Sequence, residues 1–125
     1  SYVIATAMDH PLAGRKSAPL AVLHDLPFIA RSHCEYRTVM TRHWADGRIR
    51  PKVVYSTSQD RRALDLVRSG LGAGIFPRSL VASDLHALEI EDHVAERHIL
   101  CGWRPSMASA ALRAFLAFNQ IEDAR

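Results

Sequence analysis

The chain has 125 residues, 48% hydrophobic and 23% charged, with a net charge of +3 and a pI near 9.2. That length carries one domain with a real core and is too short for two comfortable ones. The charge is only mildly basic and the arginines stand among acids, as in Asp60-Arg61-Arg62, so the composition argues against direct nucleic-acid contact by this segment.

Cys34 and Cys101 stand far apart and form no C-x-x-C, which predicts reduced, intracellular thiols and not a disulfide scaffold. No apolar run approaches the ~18 residues of a membrane span, and no signal peptide is visible. The first residue is Ser1, already inside the apolar run YVIATAM, which is the expectation for a cut through a larger protein.

In chain order, Tyr2 to Ala7 reads as a strand or the end of one. DHPLAGRKSAPLAVLHDLP follows as a connector, because residues beside proline avoid the helical region; a short helix fits at Leu20 to His24. Phe28 to Arg31 is a compact buried strand. A helix is predicted in EYRTVMTRHWADG, with Tyr36, Val39, Met40 and His43 or Trp44 on one face and Gly47 as C-cap. PKVVYS is the next strand, through Val53 and Val54. TSQDRRALDLVRSG is a second helix, capped by Thr57 or Ser58, with Asp60 in its first turn and a stripe of Ala63, Leu64, Val67 and Leu71. AGIFP is a strand stopped by Pro77. ALEI is a short strand and RHILCGW a longer one. The last helix starts at Ser106 and carries Ala108, Leu112, Phe115, Leu116 and Phe118 at helical spacing.

Residues 28 to 77 therefore alternate strand, helix, strand, helix, strand. That order predicts an α/β fold with a parallel-rich sheet and right-handed crossovers.

The stretch SGLGAGIFPRSL holds Gly70, Gly72 and Gly74. A phosphate loop follows a strand and opens a helix, so that helix N–H groups face the anion. Here the glycines follow a helix and precede a strand, at the negative end of its dipole, and no G-K-[ST] is present. Gly70 reads as a left-handed cap, Gly72 as a turn, and Gly74 as a place where the strand approaches a neighbour or a ligand.

Several of these stretches resemble the effector-binding domain of LysR-type transcriptional regulators. ALDLVRSGLGAGIFPRSLV is similar to that family's helix-turn-strand, with its Val-x-x-Gly-x-Gly-x-x-x-x-Pro pattern matched by Val67, Gly70, Gly72 and Pro77. DHPLA resembles its His-Pro-Leu-Ala turn, and LHDLPFI its usual approach to the second subdomain. ILCGWRPSMASAALRAFLAF resembles its returning strand and last helix. The matches come in the family's order and cover nearly the whole chain.

The resemblance implies a fold like type 2 periplasmic binding proteins, in which two α/β lobes enclose a small effector. Residues 1–27 would be the end of the first lobe and the hinge connector. Residues 28–96 would be the second lobe, and 97–125 the returning hinge strand and the C-terminal helix of the first lobe. The family's N-terminal winged helix-turn-helix has no counterpart here, so DNA would be met only through a part of the protein outside this chain. A cytoplasmic, homo-oligomeric regulator without cofactor and without membrane contact is the implied parent.

In an open α/β sheet, ligands sit outside the carboxyl ends of the strands. Three segments fall there: Ser32-His33, Ser56-Thr57-Ser58, and Phe76-Pro77. Hydroxyls and helix N–H groups favour an anion such as a carboxylate, and Phe76 offers an apolar wall. Each residue has a plainer role open to it: Thr57 and Ser58 as caps, Phe76 as core, His33 as surface.

Enzyme alternatives are thin. His33-Cys34 lacks a separate base, no serine sits in G-x-S-x-G, and the seven histidines form no H-E-x-x-H. No metal site is expected. A transport-type solute-binding protein of the same architecture is the second reading, and a small α/β enzyme using His33 or Cys34 the third.

Overall fold

A computed structural model describes residues 1–34, 41–42, 48–92, 100–107 and 109–120. The strands are β1 (Tyr2–Thr6), β2 (Ser17–Ala18), β3 (Pro27–Arg31), β4 (Lys52–Thr57), β5 (Gly74–Pro77) and β6 (His86–Ile90). Among the described residues the complete α-helices are α1 (Asp60–Arg68) and α2 (Ala110–Phe118), and short 3-10 turns occupy Leu20–Leu23, Arg78–Leu80 and Pro105–Met107. Of the helix expected in 35–47, Thr41 and Arg42 are helical, and residues 35–40 and 43–47 lie outside the described residues.

The sheet is mixed. β3 and β4 pair in parallel, and β2, β6, β1 and β5 form a four-stranded ladder in that order. A parallel bridge between Phe28 and Ala73 joins the two parts. β5 therefore runs parallel to β3, while β1 runs antiparallel to both β5 and β6. All five residues of β1 are buried, as expected for a strand flanked on both sides. The register of β1 against β5 and β6 places residues 2–6 in the interior of a sheet whose other strands come from residues 17–90, between Tyr2↔Pro77 and Thr6↔His86.

Period-two alternation splits the core across the sheet. Tyr2, Ile4, Phe28, Ile75, Leu88 and Ile90 point to one face, closed by Leu20 and Leu23 of the first 3-10 turn. Ala5, Ile29 and Phe76 point to the other, closed by Ala63 and Val67 of α1 and by Leu85. Ala63 and Val67 sit four residues apart, one turn of the helix face that meets the sheet. Leu64 packs at the edge of that cluster, whereas Leu71, expected in the same stripe, is 42% exposed because the chain has already left the helix.

α1 ends as its sequence predicts. Gly70 has φ +84°, the Gly70 N–H donates to Val67 O at 3.0 Å, and the Leu71 N–H donates to Leu66 O at 3.1 Å. These two bonds make a Schellman cap around a left-handed glycine. The close approach expected at Gly74 is present, since a Cβ there would lie 2.5 Å from Phe76 Cε2 and 3.5 Å from Ile29 O, and Gly72 is crowded by backbone as well. A Cβ on Gly72 would lie 2.7 Å from Pro27 O, because Ala73 docks directly on β3.

The start of α1 differs from expectation. Gln59 is the N-cap residue and makes no side-chain cap. Thr57 is held one step earlier, as the last residue of β4, where its carbonyl accepts from Ser32 N–H. Its hydroxyl reaches forward only to the N–H of Gln59, at 3.1 Å.

α2 also starts later than Ser106. Residues Pro105–Met107 turn as a 3-10 helix, and Ser109 Oγ accepts from Leu112 N–H at 3.1 Å as the true cap. Residues 100–103 of the expected RHILCGW strand are irregular, and 97–99 lie outside the described residues.

Candidate functional site

The carboxyl ends of β3, β4 and β5 lie on one edge, because these three strands are parallel. β3 delivers Ser32 and His33, both exposed, and β4 delivers Ser56, Thr57 and Ser58, of which Thr57 is half-buried and the others exposed. The two segments are laced together. Ser32 N–H donates to Thr57 O at 3.0 Å, continuing the Arg31↔Thr57 register by one residue. Immediately beyond them opens the N-terminus of α1, whose first N–H groups have no partner within the helix. Five polar residues and a helix N-terminus thus share this edge, with Ser56 and Thr57, successive in β4, on opposite faces of the sheet.

Phe76 and Pro77 are placed differently. Phe76 is fully buried and packs with Ala5, Ile29, Ala63, Val67 and Leu85, so it is core and not the wall of a cleft. Its ring points to the α1 face of β5, where the helix seals it from solvent. Pro77 is buried as well, opposite Tyr2, and the chain leaves it through Arg78, whose N–H donates to Ser1 O at 2.9 Å. Of the seven predicted residues, five share the exposed edge and two lie beneath it.

Arg31 is the residue sequence reasoning missed. It ends β3 with a side chain only 6% exposed, and its guanidinium is used in three directions. Nε donates to Ile75 O at 3.1 Å, Nη1 to Asp60 Oδ1 at 2.9 Å, and Nη2 to Cys34 Sγ at 3.2 Å. Its plane stands 4.9 Å from the centre of the Phe76 ring. The signal was present in PFIARS as a charge closing an apolar strand, but that pattern equally describes a strand running out into solvent.

Cys34 is half-buried and Cys101 exposed, and both are free thiols. Among the described residues no group of three or more His, Cys, Asp or Glu is placed to hold a metal ion. No helix among them is long and apolar enough to cross a membrane. An open depression lined by Gly102, Trp103, Arg104 and Leu112 contains none of the edge residues.

Residues 1–121 match the model of the LysR substrate binding domain family. The chain belongs to that family, and its mixed sheet with flanking helices is the type 2 periplasmic-binding-protein-like fold found in effector-binding domains of this kind. It is 34% identical over 76 residues to a probable HTH-type transcriptional regulator, LrrA, of Synechococcus elongatus, a match covering 61% of this chain and 25% of the relative. Among solved structures, the effector binding domain of QuiR in complex with shikimate superposes with a TM-score of 0.66 at 25% identity, over 94% of this chain and 58% of that one. The C-terminal domain of a probable LysR family transcriptional regulator from Rhodococcus sp. RHA1 gives 0.68 at 20% identity, over 95% and 62%. The chain thus spans a quarter of that regulator and about three-fifths of these solved domains.

Proposed function

We propose that this chain is the effector-sensing portion of a LysR-type transcriptional regulator, and that it performs no catalysis. The family match across residues 1–121 carries the reading. The effector is a small organic anion of the carboxylate class, held against Ser32, His33, Ser56, Thr57 and Ser58 by hydroxyl groups and by the N-terminus of α1. A structural relative at 25% identity holds shikimate, itself a carboxylate, which supports that chemistry.

In this reading residues 28–96 form the second lobe with β1 threaded through its sheet from the hinge, and 97–125 return to the first lobe. The ligand binds the closed arrangement of lobes better than the open one. It therefore shifts their populations by its differential affinity, and the parent passes that shift to DNA through a cytoplasmic homo-oligomer. DNA contact belongs to a segment outside this chain.

Calorimetric titration with shikimate and a panel of small carboxylates tests the site. Binding should weaken about tenfold in Thr57→Val, the cost of roughly one hydrogen bond to a charged group. An unaltered affinity in Thr57→Val and Ser32→Ala together would place the ligand elsewhere. Sustained turnover of any bound acid would overturn the non-catalytic reading.

A further inference from the structure

We infer that Arg31 is a positioning residue for the effector site, tying the loop after β3 and the first turn of α1 together from beneath. The inference rests on the effector reading above and adds to it how the site keeps its shape.

The arrangement has a physical cost that calls for a reason. A guanidinium taken out of water loses hydration, and an ion pair regains this only when its hydrogen-bond geometry is good. Apolar residues of similar volume in place of the whole pair would often serve stability as well or better. What a methionine or leucine cannot supply is direction. The planar guanidinium carries five N–H donors in a rigid fork. Here the fork addresses three different pieces of chain: the carbonyl of Ile75 in β5, the carboxylate of Asp60 in α1, and the sulfur of Cys34 in the loop.

Those pieces are the ones that frame the edge. Ser32 and His33 lie between Arg31 and Cys34, so the Nη2 bond closes a short ring around them. Asp60 is the first residue of α1, so the Nη1 bond sets where the helix N–H groups stand relative to Thr57. The Ile75 bond anchors both to the centre of the sheet. Phe76 beneath the guanidinium blocks it from swinging away. The Arg31 charge is balanced by Asp60 and buried, so it acts on a ligand through the shape of the edge and not as a direct counter-charge.

The test is amide hydrogen exchange on the full chain, comparing wild type with Arg31→Met and Arg31→Lys, alongside urea unfolding. Arg31→Met fills the same space without the fork. Exchange at the hydrogen-bonded amides of Ser32, Cys34, Gln59 and Ala63 should rise about tenfold more than at Ile4 and Leu88 in the sheet centre, which should follow only what the unfolding midpoint loses. Arg31→Lys keeps the charge on one nitrogen that cannot reach three acceptors, and should quiet at most one of the two segments. Unchanged exchange at both segments in Arg31→Met would overturn the inference. So would a rise no greater than that at Ile4 and Leu88, which would mean ordinary stabilisation. Full protection in Arg31→Lys would mean that charge alone suffices, and would also overturn it. Shikimate titration of wild type reads the effector reading separately: that reading can fail while the exchange pattern holds, and the reverse.

Discussion

The guanidinium of Arg31 lies over the face of Phe76, 4.9 Å from the ring centre, with the arginine at the end of β3 and the phenylalanine near the end of β5. The contact spans the two strands whose carboxyl ends frame the candidate site. It also marks a boundary between core and edge, since Phe76 packs with Ala5, Ile29, Ala63, Val67 and Leu85, whereas Ser32 and His33 after Arg31 are exposed.

Phe76→Ala should destabilise the domain by about 3–5 kcal/mol, the range for emptying a fully packed aromatic position. Phe76→Leu should cost less, because most of the volume is retained. Urea unfolding gives both values. Because the ring is sealed under α1, any loss of ligand affinity in Phe76→Leu should vanish once the folded fraction is taken into account.

Gly72 and Gly70 should respond to alanine for different reasons. At Gly72 the new Cβ would meet the Pro27 carbonyl at 2.7 Å, backbone that cannot swing aside, and the strain should cost about 1–3 kcal/mol. At Gly70 there is open space, and the cost is the left-handed backbone alone, about 1–2 kcal/mol. Gly70→Asn should recover part of the latter, since asparagine tolerates that region, whereas Gly72→Asn should not recover the former. Thermal unfolding of the four variants separates strain from sterics.

Acidification should act on the turn at His10. Burial lowers the His10 pKa below the ordinary 6.5, against an opposing pull from the Asp9 carboxylate. Its Nδ1 accepts from Leu12 N–H at 3.1 Å, which requires that nitrogen unprotonated. The unfolded chain thus binds the proton more readily than the folded one, so stability rises with pH. The contribution is complete above 6.5 and is withdrawn as pH falls below it through the folded-state value. His10→Asn keeps an acceptor two residues before the Leu12 amide and does not titrate. The difference in urea midpoint between wild type and His10→Asn should therefore shift toward the variant between pH 7.5 and pH 5. A pH-independent difference would remove His10 from the account.

Ser109→Ala should remove the cap of α2 and cost that helix about 1 kcal/mol. α2 buries no residue, and Phe115 and Phe118 are 53% and 87% exposed, so little packing is available to hold it once the cap is gone. Faster amide exchange confined to residues 110–118 is the expected result, with Ser106→Ala as the silent control.

The strands and α1 were legible in the chain because their signals are local. Phe28–Arg31, Val53-Val54 and AGIFP carry short apolar runs between breakers, and Ala63, Val67 and Gly70 mark the helix face and its end within a few residues. The edge hydroxyls at Ser32 and Ser56–Ser58 were legible too, since strand polarity follows from the alternating order and brings their positions to one side. The ordered family motifs pointed to the fold class that the comparisons bear out.

Other features depended on contacts between residues far apart in the chain. Whether Phe76 faced a ligand or the core turned on one residue of strand register, which a four-residue apolar run does not encode. The place of β1 depended on β5 and β6, more than sixty residues away. The N-cap moved from Thr57 because Ser32 held Thr57 in the ladder. Arg31 looked like a strand end meeting water, and became a buried tie only when Ile75, Asp60 and Cys34 were brought around it. Local propensity and spacing, acting between near neighbours, determined which segments are strand or helix. Which side chains they hide or show was decided by the packing of distant segments, because burial and hydrogen-bond partnership arise only when the chain has closed on itself.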